Sequence, residues 1–221
     1  MKPINNKLVN DILSDPNSKD NIILRTEQDE NGEPTLKCYI YYEIDDESIA
    51  YLRVNDEILS MFSATKDEVL DLAYDNTLRF HSPIQAGFMD GLIECSEFLF
   101  DLFSDEFEYK LFAHDLNPGI VITSKNHMNG AVCVFLPKVM KRIHSILGDF
   151  YISFTSVHEC IIHPCPIVPG DMLPCLIDTI KFVNDTETRD EDILTYNLYK
   201  CTEINDALQI VKVTVKEISH E

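Results

Sequence analysis

The fold turns on the stretch DFYISFTSVHECIIHPCP, Asp149–Pro166. Residues 150–162 are rich in β-branched and aromatic side chains and hold neither glycine nor proline. That composition predicts one long strand, ended by the prolines at 164 and 166. The part from Phe154 to Pro166 also crowds His158, His163, Cys160, Cys165 and Glu159 together. On an extended strand alternate residues share a face, so His158 and Cys160 point one way and His163 and Cys165 the other. Four ligands would converge only if the chain bent sharply at Ile161-Ile162, and a structural zinc site takes paired ligands from two elements. No metal and no other cofactor is therefore assigned.

Working upstream, PKVMKRIHSIL reads as a helix opened by Pro137 and stopped by Gly148. FEYKLFAH, GIVITS and AVCVFL read as strands, with KNHMNG as a hairpin turn between the last two. Ser82-Pro83 offers an N-cap and a first-turn proline, and Ile84, Phe88, Leu92, Leu99 and Phe103 recur at helical spacing. The expectation is a long helix over 83–103. Nearer the start, Ile4 to Leu13 predict a helix, NIILRT and TLKCYIYYEI a hairpin around Asn31-Gly32, and SIAYLRV a third strand. Asn55 caps a short helix, and Thr65 with Glu68 forms a capping box for the next. Downstream, a helix near 171–184 precedes a closing hairpin, LTYNLYKC with LQIVKVTV. The fold class is α+β, antiparallel sheet with β-hairpins and packed helices. The expected division is an N-terminal α+β lobe, 1–106, carrying the helix 83–103, and a C-terminal lobe, 107–221, unless the two form one continuous domain.

Charge is the other strong signal. The 221 residues hold 38 acidic and 18 basic side chains, for a formal net charge of −20. Such a surface repels nucleic acid and anionic membrane and attracts basic proteins at salt-sensitive rates. No lysine or arginine occurs between Arg79 and Lys110, where Asp90, Glu94, Glu97, Asp101, Asp105, Glu106 and Glu108 fall. On a helix the first four, at steps of 4, 3 and 4, form one stripe of like charge. Seven cysteines without a CxxC pair, no export signal at the start and no long apolar run point to a reduced, cytoplasmic setting with mostly buried thiols. Phosphate-loop, dinucleotide, HExxH and EF-hand patterns are absent.

Ser156 and His158 share a strand face and Glu159 adjoins them, which raises a small hydrolase with Asn129 nearby. Against it, Glu159 falls on the opposite face and no GxSxG elbow exposes the serine. The run GIVITSKNHMNGAVCVFLPKVMKRIHSILGDFYISFTSVHECIIHP, 119–164, resembles the signature region of the bacterial domain of unknown function 5688, a family of gut Firmicutes and their mobile elements. Asn129, Gly130 and Ala131 match its turn, Pro137 its strand end, Gly148 its helix stop, and Ser156, His158 and Glu159 its last motif. Phe154 stands where that family usually has proline and Thr155 where it has serine. The resemblance also takes in LRVNDEILSMFSATKDEVLDLAYDNT and covers about residues 48–213. It implies a bacterial or mobile-element context and no particular activity.

The leading expectation is a non-enzymatic acidic protein of a bacterium, phage or mobile element that covers a basic nucleic-acid-binding protein. In its sharpest form it inhibits a host nuclease or defence complex as a phosphate mimic, through Asp90, Glu94, Glu97, Asp101, Asp105 and Glu108. It would contact neither nucleic acid directly nor membrane. The rivals are the hydrolase on Ser156, His158 and Glu159, and a scaffold or oligomerisation module using the apolar side chains of 83–103.

Overall fold

The computed structural model describes residues 6–15, 17–45, 48–89, 95–113 and 119–214. The chain divides into two compact units, Met1–Arg25 with Leu36–Phe80, and Thr26–Thr35 with His81–Glu221. Residue 106, where the N-terminal lobe was expected to end, lies in the second unit, in the first turn of the helix Asp105–Ala113.

In the first unit α1 (Asn6–Ser14) precedes a three-stranded sheet of β1 (Ile22–Gln28), β2 (Pro34–Asp45) and β3 (Ser48–Arg53), in that order. Then come α2 (Asp56–Met61) and α3 (Lys66–His81). Asn55 caps α2 by accepting from Ile58 N at 3.0 Å. Thr65 and Glu68 close a capping box: Glu68 N donates to Thr65 Oγ1 at 3.3 Å and Thr65 N to Glu68 Oε2 at 2.9 Å. β1 ends its sheet, and α3 covers that edge: Asn76 Nδ2 donates to Ile22 O at 3.1 Å and Leu24 N to Thr77 Oγ1 at 2.7 Å. Backbone groups that would otherwise invite another strand are thereby satisfied.

The second unit is built on a seven-stranded antiparallel sheet of order β10-β9-β7-β8-β6-β4-β5. Its elements are β4 (Ile84–Met89), β5 (Cys95–Asp101), α4 (Asp105–Ala113), β6 (Ile120–Ser124), a 3-10 segment (Gly130–Phe135), α5 (Pro137–Leu147), β7 (Phe150–Phe154), β8 (Glu159–Pro164), α6 (Leu173–Thr186), β9 (Leu198–Ile204) and β10 (Ala207–Lys212). α6 covers one face, where Leu173, Leu176 and Ile180 pack with Tyr151 and Leu198. α4 and α5 cover the other, bringing Phe107 and Ile143 against Ile120, Ile122 and Ile162. Each such apolar side chain, buried from water, contributes about 1.5–3 kcal/mol. The architecture is α+β with antiparallel sheets and packed helices.

Four local expectations are corrected. The helix over 83–103 is instead the antiparallel pair β4–β5, with Gln85 opposite Asp101 and Gly87 opposite Leu99. A spacing of four satisfies a helical period and a strand period alike, so Ile84 and Phe88 misled; the inward set is Ile84, Ala86 and Phe88, all 0–1% exposed. β4 lies between β5 and β6 and is buried at all but one position, which erases the alternation that marks a strand. The acidic stripe goes with the helix. Asp90 and Glu94 lie outside the described residues, Glu97 is on β5, Asp101 ends that strand, and Asp105 and Glu108 are on α4. FEYKLFA, 107–113, is helical, because Ser104 Oγ accepts from Phe107 N at 3.1 Å as an N-cap, and Phe107 and Leu111, one turn apart, are buried, while His114 lies outside the described residues. AVCVFL is the 3-10 segment, a short, fully apolar run that pattern alone does not separate from a buried strand. The long strand over 149–162 folds back on itself as β7 and β8, joined by Thr155–His158.

Candidate functional site

The β7–β8 turn holds Ser156 and His158, with Glu159 opening β8. Its polar groups are spent internally. Ser156 Oγ accepts from His158 N at 3.0 Å, a local turn bond typical of serine. His158 O accepts from Thr123 Oγ1 at 3.0 Å, and Thr155 O from Thr188 Oγ1 at 2.8 Å. Val157 N donates to Asp192 O at 2.8 Å and Val157 O accepts from Ala131 N at 3.3 Å. Thr155 Oγ1 reaches Glu159 Oε1 at 3.4 Å.

The imidazole of His158 joins two distant segments. Asn129 N donates to Nδ1 at 3.0 Å, so Nε2 carries the proton toward Asp192 Oδ1, 3.3 Å away. Both ring nitrogens are thus occupied. Asn129 sits in the left-handed region, φ 53°, a conformation asparagine tolerates better than most residues. At Gly130 a Cβ would lie 2.4 Å from His158 O, 2.5 Å from Ser124 N and 2.7 Å from Thr123 Oγ1, so only glycine lets the 3-10 segment approach the β6 and β8 ends this closely. The Asn-Gly-Ala and Ser-x-His-Glu signatures are therefore two halves of one clasp.

As a proton relay this arrangement is incomplete: Ser156 bonds the backbone, His158 bonds Asn129 and Asp192, and Glu159 bonds Thr155. Sequence reasoning found Asn129 but missed Thr123, Thr188 and Asp192, which act across 30 or more residues and carry no local signal. Asp192 lies in the acidic run RDEDI, 189–193.

The remaining crowded residues part company. Cys160 is fully buried, and burial pushes its thiol well above the ordinary range. Cys165 sits half-buried in a 3-10 turn after β8. His163, 4% exposed, faces α6 and pairs through Nε2 with Ser153 Oγ at 2.9 Å. The space beside that pair has room for about one water. Among the described residues no three His, Cys, Asp or Glu side chains are grouped to hold a metal ion.

Of the acidic residues singled out, Asp101 is exposed and its Oδ1 accepts from Phe103 N at 3.0 Å. Asp105 lies in the exposed first turn of α4, and Glu108 is committed to Arg142, 2.7 Å away. The apolar side chains proposed for oligomerisation are divided: Ile84 and Phe88 are core, while Phe103 is 44% exposed.

No described helix is long and apolar enough to cross a membrane. No curated protein and no solved structure matches the chain. A family pattern does match residues 35–202, about three quarters of the length, and it includes every residue of the clasp. The chain belongs to that family, the family of unknown function DUF5688.

Proposed function

We propose that the chain is a non-enzymatic, cytoplasmic interaction protein that binds a basic, nucleic-acid-binding protein. The supporting observation is α3. Asp67, Asp71 and Asp75 are exposed and four residues apart, so they line one side of a real helix about 6 Å apart along its axis. Like charges at that spacing cost an isolated helix a few tenths of a kcal/mol per pair, so a cation laid along Asp67 and Asp71 would stabilise α3. The row stands on a different helix from the one expected. In its sharpest form the partner is a host nuclease or defence complex met by a bacterium, phage or mobile element. The net charge of −20 adds long-range attraction to such a surface.

The test is capture by the tagged chain from bacterial lysate at low and high salt, repeated with D67K/D71K/D75K. A basic nucleic-acid-binding protein retained at low salt, released at high salt and lost by the triple variant supports the reading. Retention by the variant with unchanged salt dependence overturns it. Circular dichroism of the variant must match the native chain.

A further inference from the structure

Asn-Gly occurs twice in the chain, at 31–32 and at 129–130, and the two sites differ in what surrounds them. A glycine on the C-terminal side carries no Cβ, so its backbone nitrogen can come close to the asparagine carboxamide. Asparagine is a thermolabile residue, and this approach is the route. Asn129 is 5% exposed and its N–H is held by His158, while Gly130 lies tight against Ser124 N and His158 O. Ring closure there would need the clasp to open.

Asn31 is exposed, at the tip of the β1–β2 hairpin. At Gly32, φ 76°, a Cβ would meet nothing nearer than Gln28 Nε2 at 3.6 Å, so the space around the link is open. The bonds that shape the tip are local. Asn31 N and Glu33 N donate to Asp29 Oδ1 at 2.8 Å and 2.9 Å, and Gly32 N donates to Asp29 O at 3.1 Å. Freeing Gly32 N breaks one turn bond at an exposed tip and leaves the strands paired. The next residue fastens the tip: Glu33 accepts from Lys212 Nζ on β10 at 2.6 Å, from Tyr199 Oη on β9, and from Asn197 Nδ2 at 3.3 Å.

We propose that Asn31 is a site of spontaneous modification by water, converted to aspartate and isoaspartate, and that the isoaspartyl product unhooks Glu33 from β9 and β10. Gly32 N gives up its proton and attacks Asn31 Cγ. The new Cγ–N bond closes a succinimide ring, and the Cγ–Nδ2 bond breaks as ammonia leaves with that proton. Water then opens the ring. Cleavage between nitrogen and Cγ yields aspartate, cleavage between nitrogen and the backbone carbonyl carbon yields isoaspartate, and nothing is oxidised or reduced. In isoaspartate the main chain runs through Cβ and Cγ and is a carbon longer, between the Asp29 that shapes the tip and the Glu33 that fastens it. Both products also add a carboxylate beside Asp29, Glu30 and Glu33, on a chain of net charge −20.

The experiment ages the native chain, and the capped free peptide of residues 27–34, at neutral and at mildly alkaline pH, and follows tryptic peptides 26–37 and 126–138 by mass spectrometry. Ageing in heavy-oxygen water and digestion in ordinary water marks the conversions that occurred in the folded chain. Peptide 26–37 is expected to convert faster as pH rises and to yield both isomers, with 126–138 slower by about tenfold or more because its clasp must first open. N31S should fold as the native chain does and abolish the mass gain in 26–37. The aged chain, separated by its added charge, should shift the ¹⁵N amides of 198–200 and 211–213 more than N31D does, since N31D adds the carboxylate without the extra carbon. The proposal falls if 26–37 stays unconverted while the free peptide converts, if 126–138 keeps pace with it, or if N31S still gains mass there. It falls too if the aged chain keeps the fresh chain's amides at 198–200 and 211–213, because Glu33 would then have stayed in place.

Discussion

His158 and His144 each face a carboxylate, Asp192 and Asp149, at 3.3 Å and 3.2 Å. They differ in the other ring nitrogen. That of His158 accepts a backbone N–H, inside a turn where each neighbouring hydroxyl also serves the backbone. That of His144 has no hydrogen-bond partner among the described residues. A polar network closed on itself specifies a fold, whereas one with an open valence is positioned to meet something from outside. Asn129, Gly130, Ser156 and His158 lie on the closed network, so they bear first on folding.

The comparison breaks most sharply at Gly130. Gly130→Ala places a methyl group within 2.4–2.7 Å of three atoms of the clasp, two of them backbone. A loss of about 3 kcal/mol or more is expected by urea denaturation, at the upper end for overpacking. A change below about 1 kcal/mol would mean that the clasp yields freely and is no structural constraint.

His158→Ala comes next. It strands the Asn129 N–H and the Asp192 carboxylate, and a loss of about 1–3 kcal/mol follows from the usual cost of an orphaned group. His144→Ala should cost clearly less, because it abandons only an Asp149 that keeps Thr202 and Lys200. Equal losses would erase the distinction between the two histidines.

pH sharpens the open side. Asp149 is depressed in the folded state, so its stabilisation is fully present above the ordinary aspartate value of about 3.9 and is lost as pH falls through the lower folded value. Asp149→Asn should flatten that part of an acid-unfolding curve and leave the neutral region shifted by a constant. Glu33 carries the same sign: burial raises its carboxyl, but hydrogen bonds from Lys212 and Tyr199 outweigh this and hold it low.

The smallest effect concerns the proposed partner surface. Asp71→Lys places a cation between Asp67 and Asp75 on α3, and a rise in Tm of a degree or two is expected by calorimetry. A fall would indicate that the stripe is already satisfied within the chain.

Much of this was legible in the sequence, for identifiable reasons. Asn55, Thr65 with Glu68, Asn31-Gly32 and Gly148 act within five residues of themselves, so local chemistry exposes them. The misreadings occur where the local signal is shared by two structures. Ile84 and Phe88 fit both periods, and the 130–135 run is buried on every side. The β7–β8 turn contains no glycine, proline or asparagine, because Thr123, Thr188 and Asp192 supply from a distance what turn residues usually supply themselves. The clasp could be half seen through Asn129 and His158.

Residues 26–35, the tip of the first hairpin, belong with the second unit although the strands around them belong mainly to the first. Glu33 at that tip accepts from Lys212 Nζ at 2.6 Å, from Tyr199 Oη and from Asn197 Nδ2 at 3.3 Å. The polypeptide therefore passes between units at 25/26, 35/36 and 80/81, and no single cut separates them. A fragment starting at residue 81 would lose the carboxylate that Lys212 and Tyr199 require. Recombination at one crossover could not exchange either unit intact.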